Sequence, residues 1–167
     1  VAINGEGYFQ VTLPSGETAY TRSGAFQLSP TGEIVTVDGF TVQPGITIPN
    51  NAIDITVNAS GQVEVKIDGT VTPTVAGQLQ LAVFPNEAGL LAIGDNLFLE
   101  TPASGTAGTG NPATTGFGAL QQGFLETSNV NVVEEITNLI TAQRAYEMNS
   151  KVIETSDQMM ATISNIR

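Results

Sequence analysis

Histidine, cysteine and tryptophan are all absent from this chain of 167 residues. Without Cys or His there are no thiolate nucleophiles, no disulfides, no imidazole bases and none of the usual zinc ligands. Cations are scarce as well: five Lys and Arg stand against 16 Asp and Glu, for a net charge of -11. Residues 1–130 hold only Arg22 and Lys66 as cations, against 11 carboxylates. Binding phosphate groups takes clustered Lys or Arg, so nucleic acid and anionic lipid are not expected partners. The acidic surface reads as a solvated one that keeps the chain in solution. No apolar run approaches the ~20 residues that cross a bilayer, so no membrane insertion is expected. No charged-then-apolar start marks a signal peptide. The chain opens on Val1 rather than Met, which reads as a trimmed piece. What is present is a composition 41% apolar, far too rich for a disordered tail and long enough to bury a core.

The sequence has two textures. From Val1 to about Glu126 it reads as β structure, and from about Asn131 to the end as helix. The first part is punctuated by turns at Ser15-Gly16, Thr31-Gly32, Asp38-Gly39, Ser60-Gly61, Asp68-Gly69 and Ala88-Gly89. Short runs rich in β-branched and aromatic residues lie between them, a rhythm that predicts antiparallel hairpins. Ile53, Ile55 and Val57, then Val63, Val65 and Ile67, alternate with polar residues, so each run is expected to bury one face. Tyr8–Leu13, Ala19–Arg22, Glu33–Val37, Gln78–Phe84 and Leu97–Glu100 are further expected strands. No βα alternation occurs, which argues against a parallel α/β fold. Thr101–Gly118 carries five glycines, two prolines and no charge, and is expected to form a flexible loop. Two domains are therefore expected: a β-rich one over 1–126, including the Gly-rich loop 101–118, and a helix over 131–167.

The helical segment says most about function. Asn131 is placed to cap it, with Glu134 three residues on, and no Gly or Pro follows. Glu147 and Lys151 stand at a favourable i,i+4 spacing. Val132, Leu139, Tyr146, Ile153 and Met160 recur every seven residues, a heptad seam. The apolar flank of that seam changes side. Val133, Ile136 and Ile140 flank its first half; Ala145, Val152, Met159 and Ile166, with Ile163 nearby, flank the second. The change falls around Gln143–Ser150, so the two halves are expected to face different partners. A stripe of this size must be buried against something, and this chain offers no second long helix. Arg144 sits beside the seam, placed either to reach a neighbour's carboxylate or to remain solvated. The expected interface is therefore Val132, Val133, Ile136, Leu139, Ile140, Gln143, Arg144, Tyr146, Val152, Ile153, Met159, Met160, Ile163 and Ile166.

Sites for chemistry are not evident. Gly5-Glu6-Gly7 lacks the third glycine of a dinucleotide loop, since Gln10 stands in its place, and no P-loop or nucleophile elbow occurs. Lys66 and Lys151 sit in no Ser–Lys motif. Asp38, Asp54, Asp68 and Asp95 are spread along the chain, and Asp38 and Asp68 precede glycines where turn formation accounts for them. No calcium-loop spacing appears. No catalytic residue, metal or cofactor is therefore expected.

Several stretches together carry a family resemblance. Glu126–Ile136 (ETSNVNVVEEI), Gln143–Lys151 (QRAYEMNSK) and Thr155–Met160 (TSDQMM) resemble the C-terminal signature of the bacterial flagellar rod and hook axial proteins, with the distal rod branch nearest. Gly5–Gln10 (GEGYFQ), Ala19–Phe26 (AYTRSGAF), Gly32–Pro44 (GEIVTVDGFTVQP), Ala88–Phe98 (AGLLAIGDNLF) and Glu100–Gly105 (ETPASG) resemble the family's β segments, in order. The resemblance implies a structural subunit rather than an enzyme. It is exported unfolded and stacked helically into a tube, with terminal helices inside and β domains outside. Its expected location is the periplasm-spanning rod of the basal body, where the distal rod transmits torque from motor to hook. Its partners would be other copies of itself, neighbouring rod and hook subunits, and the surrounding rings. The family's N-terminal helical segment, which pairs with the C-terminal helix, has no counterpart ahead of Val1. The fold expected is therefore mainly β, in antiparallel hairpins, followed by one long C-terminal α-helix. The nearest alternative is a proximal rod or hook subunit. A cell-wall-binding module and a carboxylate-only hydrolase are more distant, the former weakened by having three tyrosines and no Trp.

Overall fold

The computed structural model describes residues 1–70, 72–127 and 130–164, with side chains described as far as residue 161 of the helix. The chain forms two compact units, Val1–Glu126 and Thr127–Arg167. The first is built from antiparallel strands; the second holds a single helix. In chain order the strands are β1 (Ala2–Asn4), β2 (Tyr8–Thr12), β3 (Thr18–Thr21), β4 (Phe26–Leu28), β5 (Ile34–Thr36), β6 (Thr41–Val42) and β7 (Ala52–Val57). They continue as β8 (Gln62–Ile67), β9 (Thr74–Gln78), β10 (Leu81–Val83), β11 (Leu91–Gly94), β12 (Leu97–Leu99), β13 (Gly108–Gly110) and β14 (Ala119–Gln121). The fold is thus mainly antiparallel β with one C-terminal helix, as the sequence predicts.

The large sheet runs β11-β12-β3-β2-β6-β5-β4, with β10 bridging β2 and β13 beside that path. Its centre is β2. One edge of β2 pairs with β3 from Phe9 to Thr12; the other pairs with β10 at Tyr8 and Phe9 and with β6 at Val11 and Thr12. A three-stranded sheet, β7-β8-β9, and the pair β1-β14 complete the unit. Alternation along β2 sends Phe9 and Val11 into one cluster and Tyr8 into another. Phe9 and Val11 join Val42, Leu81, Leu79, Val63 and Val65, all essentially inaccessible, so the small sheet and the large one share a core. On the other face Tyr8, Tyr20, Phe84 and Phe98 stack edge to face, with ring centroids 4.7–5.9 Å apart.

The turns share one chemistry. In four hairpins a glycine N–H donates to the carbonyl three residues back: Gly16 to Leu13, Gly32 to Ser29, Gly39 to Thr36 and Gly61 to Asn58. The residue starting each turn also donates to the residue just past the glycine, as Asn58 does to Gln62. That is the three-residue hairpin loop ending in a left-handed position. Gly61 shows why glycine is needed: its φ is +84°, and a Cβ there would meet Pro112 and the Leu79 carbonyl at 2.7–2.9 Å. The one two-residue hairpin turn among these strands uses Asp95 and Asn96, both at positive φ, between β11 and β12.

Two expectations are modified by packing. Val63 and Val65 are buried, and Ile55, Val57 and Ile67 pack against the core, but Ile53 is 65% exposed. The register between β7 and β8 shifts between Ala52 and Asp54, and this bulge turns Ala52 to the core in place of Ile53. Residues 101–118, expected on composition to form a flexible loop, include β13 paired to β10 and hold Ser104 and Pro112 fully buried. The Ser104 hydroxyl donates to the Thr101 carbonyl, and the Ala107 N–H to Glu100. Polar bonds and close backbone contact order this stretch where apolar bulk is lacking.

Candidate assembly interface

The helix α1 spans Val132–Ser164, 33 residues or about 50 Å. Its start is fixed by Asn131, whose side-chain Oδ1 accepts from the Val133 N–H and whose carbonyl accepts from Glu135. Acidic Glu134 and Glu135 in the first turn complement the helix dipole. Along the shaft, Thr137, Thr141 and Thr155 donate their hydroxyls to carbonyls one turn back, at Val133, Thr137 and Lys151. Those hydroxyls therefore need no outside partner if their faces are covered. Glu147 and Lys151 do not close an ion pair; the only one among the described residues is Arg22–Glu126.

Every described helical side chain is exposed. Val132, Val133, Ile136, Leu139 and Ile140 fall on one stripe, with Gln143 continuing it and Arg144 at its margin. Val152, Ile153, Met159 and Met160 fall on a stripe turned by about 150° from the first, given 3.6 residues per turn. Tyr146, 82% exposed, stands where the two meet. The structure thus gathers the expected residues into two apolar stripes on roughly opposite sides of one rod. Ile163 has no described side chain, and Ile166 lies outside the described residues. Among the described side chains of this helix, eleven large apolar or aromatic ones, Met148 included, are at least 45% exposed. Apolar surface concentrated on one element is the pattern expected of a contact surface.

Asp38 and Asp95, far apart in sequence, line one shallow depression of about 210 Å³ with Thr21, Ser23, Thr36 and Asn96. Among the described residues no group of three or more His, Cys, Asp or Glu is placed to hold a metal ion. No described helix is long and apolar enough to cross a membrane.

One feature is invisible to sequence patterning. Residues 119–126, the strap that ends the β unit, are tied to distant parts of the chain. Leu120 is buried and donates its N–H to the Ala59 carbonyl. The Gln122 side chain accepts from the Val57 N–H (2.7 Å) and donates to the Ile55 carbonyl (2.8 Å) along the open edge of β7. Glu126 accepts two bonds from Arg22 Nε, at 3.0 and 3.1 Å. The same guanidinium donates to the carbonyls of Gly7 (3.3 Å), Gly5 (3.1 Å) and Ile3 (3.5 Å) and lies 5.9 Å from the centre of the Tyr8 ring. The sequence signal was the isolation of Arg22 as one of two cations in the β part; its partners, up to 104 positions away, could not be read from spacing.

Comparison with known proteins agrees with this layout. Residues 2–65 match the family model described as the flagellar hook protein FlgE/F/G D1 domain, and residues 121–166 match the flagellar basal body rod FlgEFG protein C-terminal model. The flagellar basal-body rod protein FlgG of Caulobacter vibrioides is 62% identical over 167 residues, covering all of this chain and 64% of that protein. The FlgG of Bacillus subtilis is 41% identical over 172 residues, again covering 64% of its length. The flagellar hook protein FlgE of Escherichia coli is 39% identical over 119 residues, 71% of this chain and 29% of that protein. The chain therefore spans about two-thirds or less of each of these relatives: 64% of the rod proteins.

Proposed function

The chain belongs to the flagellar hook and basal-body rod family, and from that premise we propose that it is the larger part of a structural subunit of the distal rod. In this reading copies stack helically into a tube that crosses the periplasm and carries torque from motor to hook. The observation that carries it is the unbroken helix with two exposed apolar stripes, on a chain that resembles rod proteins from end to end. Two stripes on opposite sides suit a helix wedged between two different neighbours in a close-packed inner layer. Contacts of this heterologous kind give an open helical assembly rather than a closed dimer. The β unit then forms the outer layer, and the interface consists of the two helical stripes, with Arg144 at the margin. Neighbouring rod and hook subunits and the surrounding rings are the remaining partners, and no catalysis is assigned to the chain. The rod is favoured over the hook because resemblance to rod proteins covers the whole chain and resemblance to the hook protein covers less of it.

The family's N-terminal helical segment is a natural occupant of one stripe. Ala2–Asn4 pairs antiparallel with Ala119–Gln121, so residues ahead of Val1 would set out beside the strand from which the chain runs on towards the helix. The test is to place Leu139→Asp and Ile153→Asp separately in the full-length protein of a motile strain and image isolated basal bodies. Loss of the distal rod with a folded β unit is expected from each. Intact rods in both would overturn the reading.

A further inference from the structure

We propose that Gln122 and the Arg22–Glu126 pair are anchors that fasten the strap 119–126 to both sheets, fixing where the chain leaves the β unit. The need for anchors follows from burial. Beyond Leu120 every residue of the strap is exposed, Phe124 and Leu125 to 63% and 66%. Phe124 and Leu125 only border a shallow depression with Phe26 and Val37 and bury little there, so the firm holds on this stretch are polar.

The two anchors fall on different sheets. The Gln122 amide lies along the outer edge of β7 and satisfies one donor and one acceptor there, as a neighbouring strand would. The Glu126 carboxylate docks on Arg22, the residue after β3 of the large sheet. An isolated exposed ion pair would hold little. Arg22 differs because its fork is already aimed by the carbonyls of Ile3, Gly5 and Gly7, so the carboxylate meets a donor with little freedom left to lose. A pull or twist arriving through residue 127 would therefore enter both sheets at once rather than peel the strap from its short pairing with β1. That mechanical role rests on the rod reading; the anchoring itself does not.

The anchoring is tested on the purified chain by amide hydrogen exchange and limited chymotrypsin cleavage. Gln122→Ala should speed exchange of the Val57 amide about tenfold, the loss expected for one hydrogen bond of ordinary strength. Gln122→Glu, which keeps the acceptor, should restore protection at Val57. Glu126→Gln and Arg22→Lys should each raise cleavage at Phe124 and Leu125, with the urea midpoint of the β unit unchanged in Glu126→Gln, which leaves the Arg22 bonds to Ile3, Gly5 and Gly7 in place. Unaltered exchange and cleavage in all four variants would overturn the anchors. The mechanical role is tested in the full-length protein carrying Gln122→Ala and Glu126→Gln together. Normal basal bodies and normal swimming in buffer, with a disproportionate loss of speed in viscous medium, are expected. Load-independent swimming would remove the mechanical role and leave the anchors standing. Intact rods in a strain lacking this protein would instead overturn the rod reading.

Discussion

Leu81 and Ile53 are apolar residues on strands of the same unit, yet they should respond very differently to truncation. Leu81 is inaccessible among the residues of the shared core, so Leu81→Ala should cost about 2–5 kcal/mol in urea unfolding. Ile53 stands out from the bulge in β7, so Ile53→Ser should change stability by no more than about 0.5 kcal/mol. A large loss at Ile53 would mean the register between β7 and β8 is continuous. The tyrosines give a pH signature. Burial, then the negative charge and hydrogen bonding of Glu87, raise the pKa of Tyr8; burial and then Glu100 do the same for Tyr20. A group whose folded pKa lies above its unfolded value contributes stability that is intact below the unfolded value and lost as pH rises through the folded one. The β unit should therefore weaken as pH climbs above about 10. Tyr20→Phe should reduce that alkaline loss, measured as urea midpoints across the range.

At the scale of elements, the helix was the most legible part of the sequence and the sheet the least. Heptad spacing, the Asn131 cap and the absence of Gly and Pro are local signals, and α1 begins where they say. Asn131→Ala should lower helix content in far-ultraviolet circular dichroism, since such a cap is worth about 1 kcal/mol. Strand positions were also legible, because turns announce themselves: Gly16, Gly32, Gly39 and Gly61 each end a hairpin loop. The bulge that displaces Ile53 depends on how β7 meets β8, which alternation alone does not encode. The burial of Ser104 and Pro112 arises from contacts that composition cannot reveal. The apolar spacing of the helix could be read from the sequence for most of the described side chains, Met148 excepted, whereas the anchors could not. Arg22, Gln122 and Glu126 share no motif and meet only through the folded sheets.

For the whole chain, charge bears on the proposed assembly. In the proposed assembly, copies carrying this chain's net charge of -11 would repel one another, and the apolar stripes would have to overcome that like-charge field. Association of the full-length protein should strengthen as salt is raised from about 0.1 M to 1 M, where screening shortens from about 10 Å to 3 Å. Sedimentation velocity across that range checks it; weakening by salt would point to ion pairs as the main adhesive instead. The pairing of β1 with β14 has a consequence of timing. The first strand of the β unit finds its partner only in the last, more than a hundred residues on. The central strand β2 likewise awaits β10. A chain fed end-first through a narrow passage, from either terminus, cannot close this architecture until nearly all of it has come through. For any chain delivered that way, the topology itself would delay folding until delivery was complete.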